Sequence, residues 1–169
     1  MLGAPLGSPA DPKRPAAPIP DVGDWAVDFT LPSTRGEVQL SRLLGAGAAL
    51  LVFYPKDHTM VCTQQLCNYR DSLSEFERLE VQIVAVNDEP LERHQAFAAR
   101  YGFPFPLAAD EERQVCRAYG ALTDLLRAKR TLVLIGEDGR IWWRHSEFRL
   151  FHRGAEELLG VIDSLRRQR

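Results

Sequence analysis

Apolar residues along this chain fall into two rhythms. An almost continuous apolar run covers residues 48–54 and stops at Pro55, which suits a strand covered on both faces. Residues 81–86 and 131–135 repeat that character. Between and after these runs, apolar positions recur at three-to-four spacing, which predicts helices over about residues 62–79, 89–101, 111–119 and 153–167. Near the start, Phe29-Thr30-Leu31 and Val38-Gln39-Leu40 are strand-like pieces around Pro32-Ser33-Thr34-Arg35-Gly36, whose Pro and Gly favour a turn. Asp138-Gly139 links residues 131–135 to a second strand over 140–145 as a hairpin.

Strands alternating with helices, then a closing hairpin and a last helix, indicate an α/β fold. Its mixed central sheet is flanked by helices and preceded by an N-terminal β-hairpin. A thioredoxin-like architecture fits this order, and no internal repeat is present. Six of the eleven prolines lie within residues 1–20, among Ala and Gly and without apolar periodicity. Residues 1–20 are therefore read as a flexible extension and residues 21–169 as the folded domain.

Composition narrows the function. A chain of 169 residues buries a core without needing disulfides or a metal. With 21 basic and 23 acidic side chains it has no field that gathers phosphates, so nucleic acid is not an expected partner. The basic end, Arg166-Arg167-Gln168-Arg169, reads as cations offsetting the dipole of a last helix. No run approaches the roughly 18 apolar residues needed to cross a bilayer, and no apolar signal region opens the chain. The expected location is the cytoplasm, with no membrane partner. Three cysteines, Cys62, Cys67 and Cys116, do not make a secreted disulfide framework and point to chemistry.

The most informative segment is Tyr54-Pro55-Lys56-Asp57-His58-Thr59-Met60-Val61-Cys62-Thr63-Gln64-Gln65-Leu66-Cys67. A buried strand stops at a proline, a short polar loop follows, and a cysteine opens a helix. The positive end of a helix stabilises a thiolate over a thiol, and the thiolate is the nucleophile. A free cysteine at the start of a helix is as often a small core residue, so position alone leaves both readings open.

The neighbours decide between them. Pro55, Thr59 and Cys62 match the P-x-x-x-T-x-x-C signature of the peroxiredoxins, which this stretch resembles. The resemblance continues through Asp28-Phe29-Thr30-Leu31-Pro32, Phe53-Tyr54-Pro55-Lys56-Asp57, Arg70-Asp71, Phe103-Pro104-Phe105-Pro106-Leu107, Ala118-Tyr119-Gly120 and Arg130, covering about residues 21–165. Within the AhpC/TSA family the chain looks most like the bacterioferritin comigratory, or Q-type, branch, where a second cysteine follows the first by five residues, as Cys67 does here. It departs from that branch at Met60-Val61, where Pro-Gly is usual, and at Gln65, where Glu is usual.

The resemblance implies a thiol-dependent peroxidase acting on hydrogen peroxide and organic hydroperoxides. Cys62 would be the peroxidatic residue, oxidised to a sulfenic acid, and Cys67 the resolving one, closing an intramolecular disulfide that thioredoxin or a similar dithiol reductant recycles. Thr59 would accept a hydrogen bond while donating one to a peroxide oxygen. Pro55 would shield the thiolate, and Arg130 would favour the deprotonated sulfur and bind the departing oxygen. No cofactor and no metal are implied, and the protein would be a monomer or a weak dimer. Two alternatives stand beside this reading: a peroxide sensor or redox relay passing oxidation to a protein partner, and a one-cysteine peroxidase with an external resolving thiol.

Other signals are set aside. Cys62, Cys67 and His58 lack the second ligand pair of a zinc site, and His94 and Cys116 have no supporting spacing. Cys116 reads as core, with a backup resolving role as its alternative. A cysteine hydrolase lacks an oxyanion-hole signature here, and a disulfide reductase lacks its C-x-x-C. Trp142-Trp143 lies on a strand, so one ring is expected inside and the other nearer the surface. His152 matches a histidine of the Q-type branch, although capping also accounts for it.

Overall fold

A computed structural model describes residues 18–123, 125–126, 128–146 and 154–169. The expected N-terminal hairpin is β1 (Thr30–Ser33) with β2 (Gly36–Gln39), paired antiparallel from Thr30↔Gln39 to Ser33↔Gly36. Leu40 does not extend β2 and instead opens α1 (Leu40–Leu43), because the Asp28 carboxylate accepts the Ser41 N–H at 3.0 Å and turns the chain. The apolar run becomes β3 (Ala48–Phe53), every residue of it buried.

The helix expected over residues 62–79 starts two residues earlier and is two helices, α2 (Met60–Asp71) and α3 (Leu73–Arg78). Ser72, at φ −111° and ψ 15°, breaks the regular backbone between them. Next come β4 (Val81–Asn87) and α4 (Leu91–Tyr101), which Gly102 ends with a left-handed backbone at φ 65°. A strand absent from the sequence reading, β5 (Leu107–Ala109), follows. Three residues behind two prolines are too few to show a period. The helix expected over 111–119 shortens to α5 (Gln114–Ala118), since Asp110 forms a turn with Arg113 and its carboxylate takes the N–H groups of Val115 and Cys116. The chain closes with β6 (Thr131–Ile135), β7 (Ile141–Ser146) and α6 (Ala155–Arg167). Gly139, at φ 82°, makes the expected turn between the last two strands.

The strands form one mixed sheet of seven in the order β2-β1-β5-β4-β3-β6-β7. β3 runs parallel to β4 and antiparallel to β6, so both its edges are paired inside the sheet, and its alternate side chains feed two cores. Leu50, Val52 and Tyr54 pack with Cys62, Leu66 and Tyr69 of α2 and with Phe97 and Leu158. Ala49, Leu51 and Phe53 pack on the other face with Val115, Cys116 and Tyr119. The period of two along a fully buried strand therefore puts Cys62 and Cys116 on opposite sides of the sheet.

Both tryptophans of β7 pack against the Cys62 face, Trp142 buried and Trp143 half-buried. Simple alternation would have parted them. One extra residue in β7, between the pairs Leu134↔Trp143 and Ile135↔Ile141, makes a bulge that re-aims Trp142. At the basic end, Arg166 donates to the Leu79 carbonyl at 3.0 Å and pairs with Glu137 at 2.6 Å, which pins α6 to the sheet. Residues 1–17 and His152 lie outside the described residues. Pro20 is buried, and its carbonyl accepts from Arg144 at 2.6 Å.

Candidate active site

The end of β3 sets the position of everything that follows. Tyr54 still pairs with the sheet, its N–H donating to the Val86 carbonyl at 3.2 Å, and Pro55, half-buried, cannot donate and ends the strand. The loop then folds on itself. Thr59 donates its hydroxyl proton to the Lys56 carbonyl at 2.9 Å and stands as N-cap of α2 with an extended backbone. His58 between them has φ 61°, a left-handed conformation that costs a non-glycine residue about 1–2 kcal/mol. The tight loop delivers Cys62 as the third residue of α2, where backbone N–H groups have no partner four residues back.

Cys62 is buried, and Arg130 reaches it from just before β6: guanidinium Nη2 donates to Cys62 Sγ at 3.3 Å. Arg130 is itself buried, so this cation acts where little water screens it. Gln65 sets its angle, accepting from Arg130 Nη1 while its own Nε2 donates to the Tyr69 hydroxyl at 3.1 Å. The glutamine amide accepts from the guanidinium through its single oxygen, where a carboxylate could accept at two, and adds no negative charge beside the sulfur. The structure thus brings Pro55, Thr59, Cys62 and Arg130 to one end of the sheet. Neighbouring Lys129 is only half-buried, and its N–H is bonded to the Ala121 carbonyl.

One placement differs from expectation. The Thr59 proton is already engaged with Lys56, so the hydroxyl keeps its lone pairs and can accept from a peroxide O–H. The expected donation to a peroxide oxygen would require this bond to Lys56 to break.

Cys67 sits one helical turn and more beyond Cys62 in the same helix, half-buried against the core, and both thiols are free. Burial pushes the Cys67 thiol above its ordinary range, with Arg70 opposing and Asp71 reinforcing the shift. In a regular helix five positions part the two Cα atoms by about 8–9 Å, beyond the roughly 7 Å a disulfide spans. Cys116 is buried across the sheet, its thiol pushed up by burial and by Asp110, so a backup resolving role has no route to Cys62 in this fold.

Several residues that matter to the loop were not legible in the sequence. Asp57, Asn87 and His94 form a buried cluster behind it, and their sequence separations of 30 and 37 leave no local pattern to read. Other matched positions are architectural: Arg70 donates to the Tyr101 carbonyl, Tyr119 to that of Val27, and Phe103 stacks on Phe105. The exposed His58 ring packs on Phe97 with centroids 4.8 Å apart. Among the described residues no group of three or more His, Cys, Asp and Glu side chains is placed to hold a metal ion. No helix among them is long and apolar enough to cross a membrane.

Comparison with known proteins converges on one family. The AhpC/TSA family pattern matches residues 22–144. Peroxiredoxin Bcp of Bacillus subtilis is 32% identical over 151 residues, 85% of this chain and 96% of that protein. Chloroplastic peroxiredoxin Q of Sedum lineare is 35% identical over 133 residues, 75% of this chain and 71% of that protein. Among solved structures, peroxidoxin BcpB from Mycobacterium tuberculosis superposes with a TM-score of 0.78 at 29% identity, over 89% of this chain and 99% of that one. PrxQ from Xylella fastidiosa, at 23% identity and a TM-score of 0.80, covers 88% of this chain and 98% of its own, and supports the thioredoxin-like fold.

Proposed function

Since the chain belongs to the AhpC/TSA family and is a thiol-dependent peroxidase of the peroxiredoxin type, we propose that Cys62 is its peroxidatic residue and Cys67 its resolving one. The observation that carries this is the 3.3 Å contact between Arg130 Nη2 and the buried Cys62 Sγ at the start of a helix.

The sulfur attacks one oxygen of the peroxide; an S–O bond forms as the O–O bond breaks, and the departing oxygen leaves as hydroxide or alkoxide and takes up a proton. Arg130 is placed to carry that developing negative charge as well as the thiolate's. Thr59 accepts the O–H of the incoming hydroperoxide, and Pro55 screens the sulfur from bulk water. Hydrogen peroxide and organic hydroperoxides are the substrates. Cys67 then attacks the Cys62 sulfenic acid, giving a disulfide and water, and thioredoxin or a similar dithiol returns both thiols.

The helix cannot stay whole through this cycle. Both cysteines lie in α2, and closing the disulfide requires its first turns to unwind. The protein would work in the cytoplasm as a monomer or weak dimer, with residues 21–169 as the catalytic domain behind an extension over residues 1–20.

A coupled assay with thioredoxin, thioredoxin reductase and NADPH tests the reading. The unmodified protein is expected to turn over with hydrogen peroxide. Cys67→Ser is expected to react with peroxide at close to the parental rate but to stop at a persistent sulfenic acid, with thioredoxin-dependent turnover at least about tenfold lower. A Cys67→Ser variant that still cycles at the parental rate with thioredoxin would move resolution to an outside thiol.

The pH profile of the resolving step gives a second prediction. In folded α2, burial raises the Cys67 thiol, so attack from that position would grow with pH through a range above that of an ordinary thiol. Unwinding first returns Cys67 to water. Disulfide formation, followed by quenched flow after rapid oxidation, should therefore titrate near the ordinary thiol value of about 8.5. An inflection well above it would mean that Cys67 attacks from within the intact helix.

A further inference from the structure

The cluster behind the Cys62 loop takes no part in the reaction as described, yet its polar side chains are buried. Asp57, in the middle of the loop, is 1% exposed, and Asn87, His94 and Tyr54 are fully buried. Asp57 Oδ1 accepts from the Tyr54 hydroxyl and from Asn87 Nδ2 at 3.1 Å, and Oδ2 accepts from His94 Nδ1 at 2.6 Å. Burial and the nearby carboxylate hold the Tyr54 phenol well above its ordinary range, which keeps it a donor. A carboxylate taken from water is costly unless both oxygens are bonded. Here they are, by donors from the loop itself, from the end of β4 and from the first turn of α4.

The two nitrogens of His94 are used unequally. Nδ1 is on Asp57, whereas Nε2 is buried and makes no hydrogen bond. A proton relay would need both nitrogens engaged, and a single engaged nitrogen fits a clamp on Asp57. The loop needs one. It places His58 in a left-handed backbone, and such a conformation persists only where its surroundings over-determine it. Phe97 of α4 presses on both the His58 and Tyr54 rings, at 4.8 and 6.4 Å. Tyr54 in turn shares the core cluster of Cys62.

We propose that His94 and Asp57 are positioning residues for the peroxidase reaction: His94 Nδ1 fixes Asp57, Asp57 fixes the loop between β3 and α2, and the loop seats Cys62 against Arg130. The clamp also fixes the point to which α2 rewinds after each disulfide is reduced. The inference rests on Cys62 as the peroxidatic residue.

The test compares His94→Asn, whose amide nitrogen falls near the Nδ1 position, with His94→Gln, whose amide reaches the Nε2 position, and His94→Leu, which has no donor. Cys62 oxidation by hydrogen peroxide is timed by quenched flow and thiol mass labelling, at a temperature where thermal unfolding shows each variant folded. His94→Leu and His94→Gln are expected to oxidise Cys62 more slowly by on the order of 10–100-fold, the cost of misplacing a reacting group by about an ångström, while His94→Asn recovers most of the rate. A folded His94→Leu that oxidises Cys62 at the parental rate would overturn the proposal, as would equal rates for the Asn and Gln variants. Should His94→Leu not fold, Tyr54→Phe removes one donor and keeps the ring: slower oxidation in that folded variant supports the clamp, and a parental rate overturns it. The unmodified protein separates the two levels of the account. If it forms no Cys62 sulfenic acid, the assignment of Cys62 fails; if it does and the variants match it, only the clamp fails.

Discussion

Cys62→Ser is expected to lose peroxide reduction entirely, by at least about 10³-fold, while keeping the fold. A loss of that size follows from the proposed role of Cys62 as the thiol that attacks the peroxide: Cys67 is half-buried without the Arg130 contact that Cys62 has, and Cys116 is buried across the sheet. Serine differs from cysteine by one atom in a site already lined by a donor, so the core around Leu66 and Tyr69 keeps its packing. Peroxide consumption measured by a dye-based assay, with thermal unfolding beside it, checks both halves. An unfolded Cys62→Ser would say that the thiol serves the core, and an active one would say that another cysteine does the chemistry.

Arg130→Met should cost about 10²–10³-fold in the rate of Cys62 oxidation, the scale seen when one donor to a developing oxyanion is removed. The guanidinium makes contacts that an apolar chain cannot replace, among them one to Cys62 Sγ at 3.3 Å and one to Gln65. Stability should change far less, because exchanging a buried cation for a side chain of similar volume removes a desolvation cost together with its bonds. Arg130→Lys should fall between the two, since a single ammonium cannot hold the sulfur and the Gln65 amide in the fork geometry of arginine. Stopped-flow oxidation at increasing peroxide gives the rate constants, and denaturant unfolding gives the stabilities. Equal rates for Arg130, Lys and Met would show that the guanidinium is a structural filler.

The sequence carried the fold well wherever a pattern had room to repeat. The runs at residues 48–54, 81–86 and 131–135 form strands, as short apolar runs between polar or turn-forming segments suggest. It failed where tertiary contacts decide. β5 has three residues, the break at Ser72 interrupts an otherwise continuous helical pattern, and the Asp28 bond to Ser41 turns Leu40 from strand to helix. The β7 bulge is likewise a matter of register with β6, which no local sequence states.

The site was legible unevenly. Position alone left Cys62 open between nucleophile and core residue; the resemblance through Pro55, Thr59 and Arg130 supplied the choice, and the contact from Arg130 gives it a physical basis. Gln65 stood out only as a departure, and its work appears once Arg130 lies on it. Asp57 and His94 were unreadable as a pair, because a buried hydrogen-bonded contact across 37 positions looks, in one dimension, like two unrelated polar residues. Thr59 stood in the sequence motif, but the direction of its hydrogen bond depends on the Lys56 carbonyl, which only the loop geometry supplies.

The most direct test is the mass of the peptide containing Cys62 and Cys67 after one equivalent of hydrogen peroxide, quenched with a thiol-blocking reagent. Loss of two hydrogens with both thiols unlabelled, and an added oxygen held on Cys62 in the Cys67→Ser variant, is the expected result. Two labelled thiols after peroxide has been offered, or oxidation confined to Cys67 or Cys116, would contradict the account.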